Sequence, residues 1–135
     1  MKAKLSLYLF LLVAITSCKE DIVKETSEIE GTFTGTFIRS SPNARYAPSE
    51  VTLTFSDGEF QGDSETVKYP AICNGTFLIE GENITFSNSC PWTAEFDWTL
   101  ILSGEFTYEW RGEELVIEKR NGDLHDYYFL TRQNL

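Results

Sequence analysis

From Gly31 onward the chain alternates. In GTFTGTF, Gly31, Phe33, Gly35 and Phe37 fall on one side and three threonines on the other. A period of two marks an extended strand with one face buried and one wet. The pattern returns in VTLTF (Val51, Leu53, Phe55), in GTFLI and NITF, and in EFTYEW, where Phe106, Tyr108 and Trp110 oppose Glu105, Thr107 and Glu109. ELVIEK and LHDYYFLT follow. Glu80-Gly81-Glu82-Asn83, Arg111-Gly112 and Arg120-Asn121-Gly122-Asp123 separate these runs. Glycine and asparagine tolerate the left-handed backbone that tight hairpins need. Such turns, spaced about eight to twelve residues apart, predict an all-β chain: an antiparallel meander of about 8–10 strands, forming a small barrel or a sandwich.

Three segments fit less simply. RSSPNARYAP, residues 39–48, reads as a loop held open by Pro42 and Pro48. DGEFQGDSE, residues 57–65, puts Asp57, Glu59 and Gly62 at calcium-loop positions. It has Lys68 where a bidentate glutamate is required, so it reads as a hairpin turn with solvated acids and no metal is expected. AEFDWTLIL, residues 94–102, alternates as a strand through Phe96, Trp98, Leu100 and Leu102. Phe96, Leu100 and Ser103 also suit one face of a short helix; a strand is the expectation.

The start of the chain differs in kind. Lys2 and Lys4 precede an apolar run, Leu5 to Ile15. As a helix that run spans about 16 Å, about half of what a bilayer core needs. It therefore reads as the core of a secretion signal. Its end, Ile15-Thr16-Ser17-Cys18, resembles a bacterial lipobox. The resemblance implies that Cys18 is lipidated and becomes the first mature residue. More than one acyl chain makes such an anchor stable. Lys19-Glu20-Asp21 resembles the surface-export signal of Bacteroidota-type lipoproteins, which implies an outer-membrane location with the outward leaflet favoured. The expected layout is a signal over residues 1–17, lipidated Cys18 with an acidic tether through residue 29, and one domain over 30–135.

Removing residues 1–17 takes away Lys2 and Lys4, so the net charge moves from −10 to about −12. Such acidity disfavours nucleic acid as a partner. With Cys18 lipidated, Cys73 and Cys90 remain as an even pair in an oxidising compartment, where a disulfide is expected. It would close about 17 residues and contribute about 3 kcal/mol in the chain-entropy picture.

The stretch from Asn74 to Arg132 carries a further pattern: Gly81, Thr85 and Phe86; Cys90 and Pro91; Leu102, Gly104 and Tyr108; Gly112, Leu115 and Ile117. It resembles small envelope lipoproteins with lipocalin-like domains and, more loosely, META/HslJ-type domains. The resemblance implies a small barrel or open sheet without chemistry of its own. GTFTGTF is similar to the glycine–aromatic opening of lipocalins, but Phe33 or Phe37 stands where they have tryptophan, which argues against a deep calyx.

His125 is the only histidine and would have to act alone, whereas a triad needs a base and an orienting acid. No phosphate loop, nucleophile elbow or zinc-protease motif occurs, so no cofactor and no catalysis are expected. The aromatics remain. Trp92, Trp98, Phe106, Tyr108 and Trp110 cluster in sequence. Trp98, Phe106, Tyr108 and Trp110 are the candidate ligand-binding residues, able to stack on an apolar or glycan ligand at a barrel mouth. The alternative is a protein–protein interaction or inhibitor module of the envelope with no pocket.

Overall fold

A computed structural model describes residues 28–134; the expected signal, Cys18 and most of the expected tether lie outside the described residues. Eight strands follow in order: β1 (Gly31–Ser40), β2 (Ser49–Ser56), β3 (Glu59–Ser64), β4 (Asn74–Glu80), β5 (Asn83–Asn88), β6 (Gly104–Arg111), β7 (Glu114–Asn121) and β8 (Leu124–Arg132). Each pairs antiparallel with the next, and β8 pairs back onto β1. The result is a closed, lipocalin-like barrel rather than a sandwich. Closure leaves no strand edge open.

Register and alternation together decide what lies inside. Phe33 faces Leu53, Phe37 faces Tyr128, Ile84 faces Phe106 and Leu115 faces Leu130 across their ladders. An eight-stranded barrel is just wide enough for side chains to fill, and here phenylalanines fill it. Phe86 packs against Phe60 at 5.1 Å and Phe106 at 5.4 Å between ring centroids, both edge-to-face. Phe55 meets Phe77 at 5.1 Å and Phe33 at 5.6 Å in the same geometry. Such pairs add about 0.5–1.5 kcal/mol each beyond the area they bury.

Four sequence expectations shift. β1 runs through Ser40, so Arg39 belongs to a strand and the loop is 41–48. Residues 59–64 form β3, and the turn before it is only Asp57-Gly58. The reason is Phe60, which is buried opposite Phe55. Residues 94–102 contain no strand beyond an isolated bridge from Ile101 to Ala71; they hold one turn of 3-10 helix, Trp98–Leu100, whose Thr99 N–H donates to the Asp97 side chain. A strand there would need a ladder partner, and both sides of β5 are already paired, to β4 and β6. Ile29, expected to close the tether, is fully buried in the core.

Two glycines show how tightly the wall is drawn. A Cβ at Gly35 would stand 1.8 Å from the Phe129 carbonyl oxygen, and one at Gly75 would stand 1.9 Å from that of Ser87. Backbone cannot yield as a side-chain tip can. Gly112, by contrast, has open space around it and only a left-handed φ of 65°. Gly35→Ala is expected to cost about 3 kcal/mol or more by overpacking, and Gly112→Ala about 1 kcal/mol through φ alone. Urea denaturation of the two variants checks this; equal costs would contradict the close approach.

Candidate functional site at the loop end of the barrel

In a meander, successive connections alternate between two ends. One end carries the two-residue hairpins Asp57-Gly58, Gly81-Glu82 and Gly112-Glu113, together with Glu28, where the expected tether joins. The other carries the long connections 41–48, 65–73 and 89–103, and the tight turn Gly122-Asp123. The first is called the tether end and the second the loop end.

The loop end is organised around a buried charge. Arg39 continues the inward positions Phe33, Gly35 and Phe37 of β1, and its side chain is 1% exposed. Asp126 holds the matching inward position of β8, two residues before Tyr128. Arg39 donates Nε to Asp126 Oδ1 and Nη2 to Asp126 Oδ2, both at 2.6 Å. Paired bonds in this fork geometry are among the strongest polar contacts available. Arg39 also reaches into the 89–103 segment. Nη1 donates to Asp97 Oδ2 at 3.0 Å and to Thr99 Oγ1 at 2.9 Å, and Nη2 donates to the Thr99 carbonyl at 3.1 Å. Burial opposes the charge, but bonding to Asp126 and attraction to both carboxylates outweigh it, and the guanidinium pKa stands above its ordinary value. The hydrogen bond from Thr99 Oγ1 is the main cause holding the Asp97 carboxyl below the usual range, aided by the Thr99 N–H and by Arg39. Burial pushes the Tyr128 phenol well up.

Covalent and backbone ties complete the closure. Cys73 and Cys90 form a disulfide, with Cα atoms 6.3 Å apart, joining the 65–73 and 89–103 segments. Ala71 N–H donates to the Leu100 carbonyl and Leu102 N–H to the Ala71 carbonyl, both at 3.0 Å. Ala71, Ile72 and Leu102 are buried beneath this lid.

A cleft of about 530 Å³ opens beside it, lined by Cys90, Pro91, Trp92, Trp98, Ile101 and Lys119, among others. Trp98 is 55% exposed, and its ring is fixed by Nε1 donating to the Thr93 carbonyl at 3.0 Å. Trp92 packs on Phe96 at 5.6 Å, and its Nε1–H is shielded from solvent with no acceptor among the described residues. Lys119 comes from β7, facing inward opposite Asp126. Its Nζ donates to the Ser103 carbonyl at 2.8 Å and lies 4.9 Å over the Phe106 ring. Burial lowers its pKa, with Asp126 partly offsetting.

The four aromatic candidates do not meet in one mouth. Trp98 lines the loop-end cleft. Phe106 is a core residue, 3% exposed, beneath the Lys119 ammonium. Tyr108 is half-buried and packs against the core. Trp110 lies at the tether end, 6.2 Å from Phe33, with the Arg132 guanidinium 5.8 Å from its ring. The alternation that put Phe106, Tyr108 and Trp110 on one face also strings them along the barrel's length, from beneath Lys119 to the tether end. His125 sits on the outer wall of β8, its Nδ1 2.7 Å from Tyr127 Oη. Sequence reading missed Arg39, Asp126 and Lys119, although each interrupts an apolar inward series with a charge. No family model matches this chain, and neither a curated protein nor a solved structure does.

Removing one member of a buried ion pair leaves the other uncompensated, which costs about 3–5 kcal/mol. Arg39→Met is expected to lose that amount, and Arg39→Met with Asp126→Leu to regain most of it, read from urea midpoints. Asp97 adds a pH dependence. Its pKa is depressed in the fold, so its contribution is complete above the ordinary carboxylate value and is lost as pH falls through the depressed one. Trp98 fluorescence should therefore be flat from pH 7 to about 4 and change below that. Asp97→Asn should remove the acid transition; its persistence would place the transition elsewhere.

Proposed function

We propose that this protein is a lipid-anchored, non-enzymatic lipoprotein of the outer membrane. Its barrel holds a binding cleft away from the membrane for a small apolar or glycan ligand. The carrying observation is the placement of the two ends: Glu28 lies at the tether end, and the Trp92–Trp98 cleft lies at the loop end. A lipid on Cys18, joined through a short tether, leaves the loop end outermost. The packed phenylalanine interior supports placing the ligand in the loops rather than in a calyx.

A second reading has its own support. Tyr46, Val67 and Trp98 are exposed, one on each long loop. That arrangement suits an envelope protein docking on the same end. Anchoring and binding are tested together in cells fed an alkyne-bearing palmitate. The wild-type chain is expected to take up label and sediment with the outer membrane, and Cys18→Ala to do neither. Unlabelled wild type, or a membrane-bound Cys18→Ala variant, would refute the anchor. Native mass spectrometry of the wild-type chain released from detergent should show an adduct beyond the lipid, lost in Trp98→Ala. A bare mass with cross-links from the loop end to one envelope protein would replace the ligand reading with the docking one.

A further inference from the structure

Within the loop-end reading just given, on which this step rests, the chemistry of the cleft narrows the ligand. We infer that the cleft takes a ringed molecule bearing a carboxylate, with one face of the ring on Trp98 and the carboxylate at Lys119, beside Trp92.

Three observations carry it. The first is an incompletely met charge. An ammonium has three donors, and among the described residues Lys119 Nζ has one hydrogen-bond acceptor, the Ser103 carbonyl, besides the Phe106 ring beneath it. Among the described residues it makes no ion pair. Asp126 and Asp97, the acids of the buried cluster, are committed elsewhere. Both Asp126 oxygens accept from Arg39. Asp97 Oδ2 accepts from Arg39 and Oδ1 from Thr99. A half-buried cation left short of partners is costly, and an external anion would relieve that cost.

The second is Trp92, which lines the same cleft and whose indole N–H has no acceptor among the described residues. A carboxylate has two oxygens with about four acceptor positions and no donor. It fits a cleft whose wall offers a cation and whose adjoining indole lacks an acceptor. The third is Trp98, whose exposed ring is held in place by its own hydrogen bond, a preformed stacking face. A volume of about 530 Å³ falls within the range of small-molecule sites. The chain's net charge of −10 repels anions in general, so capture of one has to be local to this cleft.

Uronic-acid sugars and aromatic carboxylates share this chemistry, and paired probes separate them. The full chain, labelled with ¹⁵N and purified from expressing envelopes in non-ionic detergent, carries three tryptophans. Their indole N–H signals are assigned with Trp92→Phe and Trp98→Phe. One titration pair is a glucuronate-ended disaccharide and its glucose counterpart; the other is indole-3-acetate and indole. The acid of one pair should move the Trp92 and Trp98 signals and leave Trp110 in place, and its neutral partner should bind at least tenfold more weakly. Lys119→Gln should erase that preference, and Lys119→Arg should keep it. A neutral probe binding as tightly as its acid overturns the carboxylate assignment while leaving a ring-binding cleft. Silence of Trp92 and Trp98 toward all four probes also overturns it. The wider reading then stands or falls on the co-purified mass adduct.

Discussion

The fork between Arg39 and Asp126 is the constraint on which the loop end depends. It joins β1 to β8, the two strands that must meet for the sheet to close, through residues 87 apart in the chain. The same guanidinium holds Asp97 and Thr99, so one side chain both seals the barrel and pins the segment that covers it. A buried cation is tolerable only when its donors are met. Meeting them fixes where the 89–103 segment lies. The Cys73–Cys90 disulfide and the Ala71 backbone bonds then tie that segment to its neighbour.

The phenylalanine core has an equally direct consequence. Edge-to-face rings from six of the eight strands occupy the axis, and the backbones approach closely at Gly35 and Gly75. A barrel this narrow and this full is a rigid support. In the proposed reading recognition falls to its connections, where loops on rigid scaffolds commonly carry it. The meander places all three long connections at one end, together with the tight Gly122-Asp123 turn, and three tight hairpins at the end where the expected tether joins.

Sorting by end also concentrates unmet chemistry. Asp126 is consumed by Arg39, and Asp97 by Arg39 and Thr99. Among the described residues Lys119 therefore faces the cleft as a cation in no ion pair, next to indoles from the covering segment. This outcome comes from competition among charges for partners. It does not require any residue type that a motif would flag.

Much of the fold was legible before the structure. Alternation in GTFTGTF, VTLTF, NITF and EFTYEW announced strands with a buried face, and glycine-bearing breaks announced the hairpins; both are local properties of backbone and side chain. The strand β3 was obscured because EFQGDS offers only Phe60 to the core, and residues 94–102 alternate without a partner strand to pair with. Arg39 and Asp126 stood at inward positions of readable strands, yet a single charge in an apolar series is mute until its counterpart is placed. The sequence by itself determined the wall, its turns, its acidity and the pairing expected of Cys73 with Cys90. Only the tertiary structure decided which side chains share an end. Closing a barrel brings distant strands into register, and register, not proximity along the chain, sets which charges and rings meet.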